Sequence, residues 1–169
     1  MGIGGQQVTI VVDVANVMGS RPDGWWRDRP GAAVRLHTEI VRLASSDRAI
    51  LPPAPDDPAP DGLVPDDPAP DGPAPVPGFV LVLEGAARAA AARLAAEPEP
   101  DADGTGRVRP GEVRVVQAPG SGDDTIVAVV RELPGRRVVV TADRELRARC
   151  VAAGAEIFGP GWLLGLLRG

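Results

Sequence analysis

A chain of 169 residues with one histidine, one cysteine and three tryptophans fits one ordinary domain able to bury a sizeable core. The lone cysteine excludes an internal disulfide and a multi-cysteine zinc site, and no apolar run approaches the length of a membrane-spanning helix. The formal charge of −5 is unevenly spread: residues 52–77 hold six aspartates and residues 97–103 four acids, with no arginine in either, so the remainder carries 18 arginines against 13 acids and is positive enough to face nucleic acid. No basic, apolar leader opens the sequence, so a cytoplasmic location with no membrane partner is expected.

Residues 7–13 form a near-continuous apolar run, the pattern of a parallel strand covered on both faces, and Asp13 ends it. A polar, glycine-containing loop is expected from there to Pro30. It combines Arg21, Arg27 and Arg29 with Trp25 and Trp26, the residue types that hold the backbone and stack the bases of single strands. The plainer alternative is that a Trp plugs the loop onto the body while the arginines pair with Asp23 and Asp28. Helical spacing runs from Gly31 to about Ala44, with Ala33, Leu36, Ile40 and Leu43 on one stripe. His37 is expected at the surface of this helix, which makes a histidine general base a poor fit.

From Pro52 to Pro77 the octamer Pro-Asp-Asp-Pro-Ala-Pro-Asp-Gly occurs twice, at 55–62 and 65–72. So few apolar side chains cannot offset the entropy of ordering, and a disordered insertion is expected. Phe79 to Glu84 reads as a strand, Gly85 to Ala96 as an alanine-rich helix, and 97–109 as a second polar loop. Strand-like Glu112 to Ala118 leads through Gly120-Ser121-Gly122 to a helix from Asp123 to Leu133. Strand-like Arg137 to Thr141 leads to a helix from Arg144 to Ala153, where Cys150 reads as a small buried hydrophobe. A last strand, Ala155 to Phe158, precedes a helix at Gly161 to Arg168 that is expected to cap the sheet, with a homodimer contact as the alternative.

Strands alternating with helices predict a single α/β domain over 1–169, a three-layer sandwich with a mainly parallel sheet of about five strands. The carboxyl ends of such strands gather along one edge, which brings Asp13, the pair Asp123 and Asp124, and Asp143 together. Converging carboxylates repel unless a cation sits among them, and Mg²⁺ or Mn²⁺ suits oxygen donors. Glu84 also ends a strand, at a less well matched position. For Asp123 and Asp143 the alternative is helix capping; Asp13, directly after an apolar strand, lies close to the core and needs a partner. Ser121 and its flanking glycines precede a helix N-terminus, which can present backbone N–H groups to a phosphate or simply make a turn.

Taken in order, Asp13-Val-Ala-Asn16, the Asp123-Asp124 pair followed by Ile126, and Thr141-Ala-Asp-Arg144 resemble the motifs of the NYN branch of the PIN-like nucleases. The resemblance implies a PIN-like fold and RNA cleavage, with Asp13, Asp123, Asp124 and Asp143 binding Mg²⁺ or Mn²⁺. It further points to Asn16 orienting a ligand or the scissile phosphate, and to Ser121 and Arg144 at the substrate. The stretch from Asn16 to Arg29 is similar to small actinobacterial proteins of this type, some labelled pyrophosphohydrolases.

The expected function is therefore metal-dependent hydrolysis of single-stranded RNA. The alternatives are hydrolysis of a nucleotide pyrophosphate and a non-catalytic domain that binds RNA or protein. Other chemistries lack their residues. A phosphoaspartyl phosphatase needs a second Asp where Ala15 stands, a receiver domain needs a late Lys, and the glycines at 2–5 precede the first strand instead of following it as a dinucleotide site requires. No Gly-x-Ser-x-Gly is present for a serine hydrolase.

Overall fold

The computed structural model describes residues 7–46, 50, 76–94 and 107–169. The expected insertion at 52–77 and second loop at 97–109 fall outside the described residues, apart from their last two and last three positions.

Five strands, β1 (Val8–Asp13), β2 (Gly78–Leu83), β3 (Val113–Gln117), β4 (Arg136–Val140) and β5 (Glu156–Phe158), form one sheet in the order β3-β2-β1-β4-β5. Every pairing is parallel. Central strand β1 is buried along its whole length because it is covered on both faces, and its alternate side chains feed two cores. Ile10 and Val12 point into one with Leu36, Ile40 and Phe79. Val11 points into the other with Ile126, Leu146 and Cys150.

The first core lies under α1 (Val14–Gly19), α2 (Arg29–Ala44), a 3₁₀-helix over Gly85–Ala92 and α5 (Pro160–Arg168). The second lies under α3 (Gly122–Glu132) and α4 (Arg144–Ala152). Leu163 and Leu164 of α5 are buried in the first core, and Trp162 stacks on Phe158 with ring centroids 4.6 Å apart.

Three local expectations are corrected. The loop expected from Asp13 to Pro30 contains α1 and a 3₁₀ turn at Trp25–Arg27; α1 has no long apolar stripe and is started by Asp13, which accepts the Asn16 N–H as its cap. Residues 85–92 wind as a 3₁₀-helix, whose i and i+3 positions eclipse, and the two residues they bury, Ala87 and Ala90, are three apart. His37 is half-buried, which holds its imidazole below the usual histidine value.

The strand order reverses beside β1, since β2 and β3 run outward on one side and β4 and β5 on the other. In an open α/β sheet the crevice at such a reversal, outside the carboxyl ends of the strands, is where ligands bind. The register sets Val12 beside Val140 and Asp13 beside Val82. Asp13 is thereby placed next to Thr141 on one side and near Glu84 on the other.

Candidate active site

Asp13 is only 8% exposed. Its Oδ1 accepts the Asn16 N–H at 3.3 Å and its Oδ2 accepts the Thr141 hydroxyl at 3.0 Å. Burial pushes the carboxyl up to about 6, and the charges of Glu84 and Asp123 push in the same direction against the two hydrogen bonds. A buried acid surrounded by other acids is costly to keep ionised.

Glu84 follows β2, and its Oε2 accepts the Gly122 N–H at the start of α3 at 2.7 Å. A Cβ on Gly122 would overlap that carboxylate, so glycine is what lets the helix come this close. One residue on, Asp123 is half-buried in the first turn of α3. Its carboxyl is raised by burial first, then by the charges of Asp143 and Glu84, with Arg149 opposing.

Asp143 caps α4: its Oδ1 accepts the Leu146 N–H at 2.9 Å, while its own N–H donates to Thr141 Oγ1 at 3.2 Å. Asn16 accepts the Ala142 N–H on its Oδ1 at 2.8 Å, tying α1 to the turn after β4. Thr141, fully buried, therefore touches both flanking acids at once.

The structure draws Asp13, Glu84, Asp123 and Asp143 into one another's fields and turns Asp124 away. On a helix, adjacent residues point about 100° apart, so one member of the acidic pair must leave the crevice. Asp124 bonds Arg149 of α4 at 2.8 Å across the surface. Nor does Asp123 cap α3, because that helix already begins at Gly122 and the preceding Ser121 makes no side-chain cap bond. Ser121 and Arg144 are both exposed at helix starts. Among the described residues no group of three or more His, Cys, Asp or Glu side chains is placed to hold a metal ion. The donors are nonetheless hard oxygens of like charge, which is what a cation that keeps most of its waters requires.

The loop after α1 is built differently from either expected pairing. Arg21 forms an ion pair with Glu39 of α2, whereas Asp23 and Asp28 accept the backbone N–H groups of Trp25 and Gly31. Trp25 packs on the first core; Trp26 is 57% exposed.

Sequence reasoning missed the part played by Thr141, although a hydroxyl directly after a buried Val-Val-Val run is a visible signal. It also ranked Asp124 above Glu84.

No family model matches this chain, and no curated protein matches it. Solved structures give a different result. The fold resembles that of Rae1 (YacP) from Bacillus subtilis. The crystal structure of the Rae1 W164L mutant matches with a TM-score of 0.57 and 14% identity, covering 96% of this chain and 76% of that one. Likeness to Rae1 at that identity is a likeness of fold, and the architecture is PIN-like: a five-strand parallel sheet flanked by helices. No described helix is long and apolar enough to cross a membrane.

Proposed function

We propose that this chain is a metal-dependent hydrolase that cleaves phosphodiester bonds of single-stranded RNA at the carboxyl edge of its sheet. The observation that carries the reading is Asp13: a buried carboxylate at the end of the central strand, raised to about 6 while Glu84 and Asp123 add their charges. Groups so perturbed in a strand-end crevice mark functional sites. The NYN-type motifs of the sequence and the PIN-like fold shared with Rae1 support it.

In this reading Asp13, Glu84, Asp123 and Asp143 are the residues that would hold Mg²⁺ or Mn²⁺. Bound there, the cation supplies an activated water and offsets charge on the phosphoryl oxygens. The chain's own task is positioning. Thr141 and the Asn16 N–H fix both oxygens of Asp13, and the Gly122 N–H aims Glu84.

The test is cleavage of a labelled oligoribonucleotide with and without Mn²⁺, with release of pyrophosphate from nucleoside triphosphates measured alongside. Metal-dependent cleavage that is lost in Asp13→Asn and Glu84→Gln is expected. Release of pyrophosphate without cleavage would transfer the activity to nucleotides. If neither substrate reacts and Mn²⁺ leaves the melting temperature unchanged, the reading fails.

A further inference from the structure

The most exposed aromatic side chain among the described residues is Trp26, and it is displayed on a fixed mount. Trp25 beneath it packs on the first core and lies against Gly19 at the end of α1. The two indoles meet edge to face at 6.2 Å and 88°. The turn that carries them is locked at both ends, by Asp23 on the Trp25 N–H and by Asp28 on the Gly31 N–H. Gly24, at φ +75°, supplies the left-handed turn between them. An indole held out in water on so ordered a support gains nothing from burial, and its ordering cost is met by the fold before any ligand arrives.

A guanidinium lies against each of the two rings, while Asp23 and Asp28 are turned to backbone N–H groups. The Arg27 guanidinium lies 5.9 Å from the Trp26 ring centroid and that of Arg29 lies 5.4 Å from the Trp25 ring. Both arginines are exposed, whereas Arg21 is committed to Glu39. A flat apolar face beside two cations matches a base on its phosphate backbone. Along the chain, Asp13 accepts the Asn16 N–H as the cap of α1, Gly19 ends that helix, and the two tryptophans follow after the turn at 20–24.

We infer that Trp26, with Arg27 and Arg29, is a stacking subsite for an unpaired base of single-stranded RNA. The inference rests on the proposed nuclease reading for its role, but capture can be measured apart from cleavage. Binding of a short fluorescent oligoribonucleotide is followed in EDTA, where no metal is present, with a duplex of equal length and a mononucleotide as competitors.

Trp26→Ala is expected to weaken single-strand binding about tenfold or more; Trp26→Phe should stay within about threefold of wild type. Arg27→Gln with Arg29→Gln should flatten the salt dependence because fewer counterions are released, and Arg21→Gln should leave it unchanged. Melting curves of all variants show whether the fold persists.

Affinity unchanged in Trp26→Ala overturns the subsite, as does equal binding of the duplex or no RNA binding by wild type. Self-association that depends on Trp26, seen by sedimentation in place of RNA binding, would make this a protein surface instead. RNA capture in EDTA with no cleavage in Mn²⁺ leaves the subsite standing and removes the activity.

Discussion

At the amino end of the sheet, among the described residues, two carboxylates each meet a guanidinium. Arg136 of β4 grips Glu156 of β5 at 2.6 and 3.0 Å, and Arg114 of β3 holds Glu112 at 3.2 Å. The carboxyl end of the same strands does the reverse, setting Asp13, Glu84, Asp123 and Asp143 in one another's fields, while Arg149 is engaged by Asp124 at the surface. One end is arranged for cohesion. The other holds charge that the fold would be more stable without.

The largest expected effect breaks the comparison at Asp13. Between pH 4 and pH 6 its folded form keeps a proton that the unfolded chain has given up, so stability falls as pH rises through that window and stays low above it. A raise of about two units corresponds to roughly 3 kcal/mol. Asp13→Asn should therefore match wild type in urea near pH 4 and exceed it by about that amount at pH 7. A difference that does not change with pH would show that Asp13 carries no such cost. In wild type alone, Mn²⁺ at pH 7 should raise the melting temperature by binding the folded state.

Next in size is Gly122→Ala, whose new Cβ must push Glu84 aside. The carboxylate is the far end of a flexible side chain and can swing aside, so the cost is chiefly its lost bond to the Gly122 N–H, about 1.5–3 kcal/mol. Adding Glu84→Ala should cost little more, and a double-mutant cycle in urea checks the coupling. Simple additivity would mean that the two residues do not share the space.

Two buried threonines then sharpen the contrast between the ends. Thr141→Val removes a hydroxyl bonded to Asp13 and to the Asp143 N–H, for about 1–2 kcal/mol, with Thr141→Ser largely restoring it. Thr9, equally buried at the amino end, has an Oγ1 without a hydrogen-bond partner among the described residues. Thr9→Val should be neutral or stabilising in the same denaturation series. Equal losses at both positions would remove the special standing of Thr141.

Smallest of all is Asp124→Asn. The pair with Arg149 is exposed and screened by water, so the change in stability should be the smallest of this series. A change well beyond that, or loss of metal response in this variant, would return Asp124 to the site.

How much of this was legible in the sequence depends on the range of the interaction. The strands are β-branched runs, and their order with the intervening helices already implies a parallel sheet with acids along one edge. Nothing near Glu84 in sequence signals its neighbour: the closeness comes from Gly122, 38 residues away. Choosing between Asp123 and Asp124 requires the phase of α3, which begins one residue earlier than its apolar pattern suggests. Arg21 is diverted by Glu39 on the next helix, a partner that composition cannot rank above the nearer Asp23. The cap made by Asp13 is local, yet it hid α1 because the same aspartate also reads as a strand end.

Cys150 offers a way to watch one half of the molecule by itself. Its sulfur lies in the core beneath α3 and α4, fully shielded, and burial lifts the thiol to about 11. A disulfide reagent can reach it only when that layer opens, so the labelling rate is a clock for local or global unfolding. If α3 and α4 part from the sheet before the opposite layer does, the clock runs faster than amide exchange in α2, and the side of the sandwich that carries Asp123 and Asp143 is the first to yield.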